Sequence, residues 1–146
     1  MLRSQRLQVV LKLEEQKEHR ALEKMAEAQK AHDAQRQQID NLERYQQEYR
    51  DQIRANQQGV VAVSRLQAWQ AFIAQLDQVI GQQQALLDQT RTKLDACREQ
   101  WRLAWERRRG MEKYIATCRR KEQQQSDARE QKLADEAANR FYQRRR

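Results

Sequence analysis

The chain has no proline and only three glycines in 146 residues. Compact folds reverse direction at turns built from Gly, Pro, Asn and Asp clusters, so this scarcity excludes a globe of many short elements. Aromatic residues make up 6% of the chain and apolar residues 38%, against 34% charged, which is too little apolar surface for a deep core. No run approaches the roughly 20 apolar residues that cross a bilayer. The N-terminal "MLRSQRLQVVLKLEEQ" is interrupted by Lys12, Glu14 and Glu15, so no signal-peptide core forms and a cytoplasmic protein without direct membrane insertion is expected. Cysteine is nearly absent as well. Cys97 and Cys118 fall 21 residues apart on one predicted helix, about 31 Å at 1.5 Å per residue, which excludes a bridge between them and leaves two small apolar thiols.

Chemistry is missing in the same way. There is no Gly-rich phosphate loop, no H-E-x-x-H and no nucleophile elbow. The two histidines, His19 and His32, do not face either cysteine in the pairing derived below, so no zinc set assembles. The expectation is a protein that is not an enzyme, with no catalytic residue, no cofactor and no metal.

What is present favours helix. Ala, Leu, Gln, Glu, Arg and Lys dominate, the residues that lose least side-chain freedom in a helix. From residue 66 onward apolar residues recur in steps of three and four. Leu66, Ile73, Ile80, Leu87, Leu94, Trp101 and Ile115 hold one heptad position, and Trp69, Leu76, Cys97, Ala104, Met111 and Cys118 the other, with Gln83, Thr90 and Arg108 as polar exceptions. So long a repeat is the mark of a coiled coil. The first half carries a weaker frame through Leu7, Leu11, Ala21, Met25, Ala28, Ile39, Leu42, Tyr49 and Ile53, on which Glu14, Glu18, His32, Gln35 and Gln46 also fall.

Between the halves, "GVVAVSRLQ" breaks the pattern. Gly59 offers a C-cap or left-handed position, Val60, Val61 and Val63 disfavour helix, and Ser64 with Gln67 reads as a capping box. The predicted fold is all-α: an elongated antiparallel two-helix coiled-coil hairpin, with helix one over about 3–56, a turn over about 57–63 and helix two over about 64–140, longer and overhanging. A bend near residue 60 pairs residues whose numbers add to about 121 or 122. Leu42 then meets Ile80, Leu7 meets Ile115, and Glu14 meets Arg108, a seam ion pair that would set the register. Residue 1 faces about residue 120, so the remaining C-terminal stretch has no first-helix neighbour, and i, i+4 pairs such as Lys132 with Glu136 are expected to support it.

Binding surfaces are expected at two places. Near the turn, "LQAWQAFIAQL" concentrates large side chains: Trp69 and Leu76 belong to the seam, while Phe72 sits beside it, either flat over Tyr49 or exposed as an anchor. At the opposite end Arg3, Arg6, Arg119, Arg120 and Lys121 gather, continued by Arg129, Lys132, Arg140 and Arg144 to Arg146. With a net charge of +8 and pI near 9.9, this end suits an acidic partner. Between them Arg102, Arg107, Arg109 and Lys113 surround Trp101 and Trp105, a grouping that fits either a solvated helix face or nucleic-acid contact. The 21 acidic residues among 29 basic ones weigh against a phosphate-tracking stripe, so no nucleic-acid partner is expected.

With "LQAWQAFIAQLDQVIGQQ", "CREQWRLAWERRRGMEKYI" and "DAREQKLADEAANRF" in view, the chain resembles the flagellar export protein FliJ family over essentially its whole length. The stalk proteins of virulence type III secretion systems are similar. The resemblance implies an antiparallel two-helix coiled coil of the bacterial flagellar export apparatus, peripherally associated with the inner face of the cell membrane. Such a stalk inserts in the hexameric flagellar export ATPase, promotes its activity, and links it to the export-gate membrane protein and to export chaperones. Carried over, Trp69, Phe72 and Leu76 would face the gate, and Arg3, Arg6, Arg119, Arg120, Lys121 and Arg129 the ATPase.

Overall fold

The computed structural model describes residues 1–56, 59 and 61–145. It contains two helices, α1 (Arg3–Asn56, 54 residues) and α2 (Val63–Arg144, 82 residues), and no strand among the described residues. They form an antiparallel helical hairpin in which α2 is the longer. Gln57, Gln58 and Val60 lie outside the described residues, and so does the bend expected about residue 60; Arg146 does too. Gly59 is an exposed bend residue, and no described glycine has a positive φ, so the left-handed position expected of it is not found.

Both helix starts are made differently from a standard side-chain cap. The carbonyl of Leu2 accepts from the Gln5 and Arg6 amides at 3.1 Å each, and the Leu2 amide donates to Gln5 Oε1 at 3.2 Å. The Ser4 amide is one of the first-turn donors that no residue of its own helix can satisfy. It donates instead to Glu122 Oε1 of α2 at 3.0 Å, and the Ser4 hydroxyl to Glu122 Oε2 at 2.6 Å. A carboxylate from the partner helix therefore meets the positive end of α1's dipole. At α2 the capping box centred on Ser64 does not form. The Ala62 carbonyl accepts from Arg65 at 3.0 Å and Leu66 at 3.3 Å, so the helix begins at Val63 and Ser64 lies inside its first turn.

The contacts divide into two units, Met1–Arg20 with Arg102–Arg146, and Ala21–Trp101. In the first, the helices run antiparallel through Ser4 with Glu122 and Glu18 with Arg108, over a core of Ile115 and Cys118, 2% and 8% exposed. In the second, antiparallel contacts join Gln29 to Arg98, Gln35 to Gln83 and Gln46 to Asp77, around buried Ala28, Ile39, Ile80 and Leu94. In both units the seam follows the heptad frames. Every frame position from Leu66 to Cys118 is buried or half-buried, and on α1 the polar members Glu14, Glu18, His32, Gln35 and Gln46 are covered like their apolar neighbours. Position fixes burial here, whatever the residue's polarity.

The register pair is corrected. Arg108 binds Glu18, and also Glu112 at 2.9 Å on its own helix, whereas Glu14 has Lys17 at 3.8 Å. Side chains lean toward the N-terminus of their own helix. In an antiparallel pair, two residues at the same level therefore lean apart, while residues about one turn further along converge. Four polar cross-helix contacts obey this: Ser4 with Glu122, Glu18 with Arg108, Gln29 with Arg98, and Arg50 with Asp77 have residue numbers that add to 126 or 127, above the expected 121 or 122, whereas Gln46 with Asp77 adds to 123 and Gln35 with Gln83 to 118. Beyond Glu122, residues 123–145 are all exposed. Lys132 and Glu136 form no pair among the described residues; Gln123 to Asp127 and Gln131 to Asp135 are i, i+4 hydrogen bonds found there.

Candidate interaction surfaces

The unit Ala21–Trp101 carries an aromatic group. The rings of Tyr49 and Phe72 meet at 4.6 Å with planes 62° apart, and those of Tyr45 and Phe72 at 6.4 Å and 82°, both edge-to-face arrangements. Phe72 sits beside the seam, half-buried, and meets Tyr49 edge-to-face where a flat contact was one expectation. Trp69 and Leu76 are half-buried on the seam itself. Tyr45, 51% exposed, joins the group, although sequence reasoning passed it over because it lies off the frame. The available signal was its spacing four residues before Tyr49, which puts both rings on one strip of α1. Below them Gln46 is 6% exposed and spends its amide on the Ile73 carbonyl at 3.3 Å and on Asp77. A hollow of about 260 Å³ lies beside Trp69, lined by Ile53, Leu66 and Ile73 and rimmed by Arg50 and Arg54.

The other unit gathers its cations around Glu122. Arg119 and Arg129 line a hollow of about 530 Å³ with Leu2 and Ser4, and Arg3 and Lys121 line a second of about 220 Å³ with Tyr114 and Cys118. Glu122 borders both. Arg3 also lies over the Tyr114 ring, 5.5 Å from its centre. Arg6 and Arg120 are exposed and line neither hollow. The Ser4 hydroxyl, then the Ser4 amide, hold the Glu122 carboxyl below its ordinary value, with Arg119 adding to the effect. Further along the same unit, Arg108 donates to Glu18 and to Glu112, and these two bonds, that to Glu18 first, keep it more firmly protonated.

Charge separates between the units. Met1–Arg20 and Arg102–Arg146 hold 19 Lys and Arg against 10 Asp and Glu, whereas Ala21–Trp101 holds 10 against 11. The whole positive excess thus belongs to the unit that contains both termini. The Arg and Trp grouping is tied up locally: Arg109 covers the Trp105 ring at 5.2 Å, and Arg102 pairs with Glu106. No group of His, Cys, Asp and Glu suited to a metal occurs among the described residues. No helix among them is long and apolar enough to cross a membrane.

Two antiparallel helices over a seam of mixed polarity, with an aromatic group on one unit and an excess of cations on the other, define a helical-hairpin protein with two candidate interaction surfaces. The family model described as flagellar FliJ protein matches residues 3–146, and the chain belongs to that family. It is therefore a component of flagellar type III protein export. No curated protein and no solved structure matches it.

Proposed function

We propose that the chain is the central stalk of the flagellar export ATPase. The unit holding the termini seats in the hexameric ATPase and promotes its activity. The aromatic group of the other unit, with Trp69, Phe72 and Leu76, contacts the export-gate membrane protein, and export chaperones bind the same hairpin. On this reading the protein works in the cytoplasm, held at the inner face of the cell membrane through its partners. Hydrolysis belongs to the ATPase.

The observation that carries this reading is the separation of charge, 19 basic against 10 acidic residues in the termini-bearing unit and 10 against 11 in the other. An acidic collar would be drawn to the first unit and have no electrostatic reason to engage the second. A nearly neutral surface with exposed aromatic edges suits recognition by apolar contact instead.

The test separates the two surfaces. Truncation after residue 122 together with Arg119→Glu is expected to weaken coelution with the ATPase and to reduce its stimulated hydrolysis, and to leave gate binding intact. Phe72→Ala is expected to do the reverse. Loss of the same partner by both variants would end the two-surface reading.

A further inference from the structure

The exposed end of α2 is not a seam that lacks its partner. Continuing the heptad frame beyond Glu122 gives Gln125, Arg129, Lys132, Glu136, Asn139 and Gln143, all polar. Five apolar residues of this stretch, Leu133, Ala134, Ala137, Ala138 and Phe141, fall in steps of three and four away from the frame, while Ala128 and Tyr142 flank it. All are exposed, Leu133 by 65% and Phe141 by 61%. The same strip is bracketed by charge. Asp127 and Glu130 precede it by one or two turns, and Arg144 and Arg145 follow it, with Arg145 lying over the Phe141 ring at 5.1 Å.

An apolar strip with two acids before it and two arginines after it is complementary to its own reverse. We propose that this face pairs antiparallel with the same face of a second copy of the chain. The two-fold axis passes at Ala137 and Ala138, whose small side chains let two helices approach closely. Leu133 of each copy then packs on Phe141 of the other, and Glu130 of each meets Arg145 of the other, an isologous contact with an ion pair at each end of the apolar strip. An anionic lipid surface fits less well, because Asp127 and Glu130 lie on the same strip. About five turns of helix on each side bury less than the roughly 1,200 Å² of a standard interface, so the dimer is weak and forms at about ten to a hundred micromolar. This pairing does not depend on the ATPase reading. It would cover the tail of a chain that has not met a partner.

Sedimentation equilibrium of the full chain over a range of concentrations, without any partner, tests it. The expected result is a monomer–dimer equilibrium that Phe141→Asp abolishes, and that Glu130→Arg or Arg145→Glu alone weakens at least tenfold. The double variant Glu130→Arg with Arg145→Glu should recover dimerisation, and mixing the two single variants should give heterodimers. Circular dichroism of each variant verifies that the hairpin is intact. A chain that stays monomeric up to several hundred micromolar overturns the proposal. So does a dimer indifferent to these substitutions, or a monomer that binds phosphatidylglycerol vesicles through Phe141.

Discussion

The guanidinium of Arg108 shows how much one residue's geometry matters in a two-helix seam. Its side chain is 22% exposed and that of Glu18 16%, so both are partly desolvated and removal of either leaves the other short of compensation. Arg108→Leu is expected to cost about 1–3 kcal/mol in urea unfolding. A double-mutant cycle should give Arg108 a coupling energy with Glu18 and almost none with Glu14, since only the first pair is in contact. Coupling to Glu14 of equal size would restore the level pairing. Glu122 supplies a pH-dependent counterpart. Its carboxyl lies below its ordinary 4.5 in the folded chain because Ser4 donates to it twice. A depressed folded value means that the contribution is fully present above 4.5 and is lost as pH falls through the lower folded value. Ser4→Ala should accordingly lower the thermal midpoint near neutral pH, and the difference from the parent should shrink as pH drops below about 4.

At the scale of an element, the start of α2 rests on backbone alone. Ala62 occupies the N-cap position and has no side-chain acceptor, while the serine that would cap well lies two residues inside the helix. Ala62→Asp is therefore expected to stabilise the chain by about 1 kcal/mol, and Ser64→Ala to change it by only a few tenths. Both are measurable as shifts in urea midpoint at constant slope. A loss of about 1 kcal/mol in Ser64→Ala would show that Ser64 caps the helix in solution. The heptad frame of α2 was legible because thirteen apolar and small residues repeat over more than seven heptads. The weaker frame of α1 was legible as well, although it contains Glu14, Glu18, His32, Gln35 and Gln46, because those polar residues keep the same step of three and four. Ala62 was not legible, since local sequence preference favoured serine and the choice between the two starts depends on where Val63 enters the helix.

For the molecule as a whole, the separation of charge sets the expected response to salt. Association that uses Arg3, Arg6, Arg119, Arg120, Lys121 and Arg129 should weaken severalfold between about 50 and 300 mM salt, since exposed charges more than a Debye length apart are screened. Binding through Phe72 should change little over the same range. Equal salt sensitivity of wild-type and Phe72→Ala chains toward the gate protein would be the expected pattern, and a salt-independent ATPase interaction would remove electrostatics from the proposal.

The sequence by itself determined the two helices, their seam frames, the overhang and the family. Each rests on residues three and four apart, or on composition, and so on information that is local along the chain. Only the tertiary structure decided that Glu18 rather than Glu14 answers Arg108, that Glu122 closes the first turn of α1 from 118 residues away, and that Tyr45 joins Tyr49 around Phe72. The first two of those outcomes depend on the direction in which a side chain leans from its helix once a second helix runs the other way beside it. A linear repeat places residues at levels along a seam, and the lean of their side chains, which levels do not describe, selects the partners.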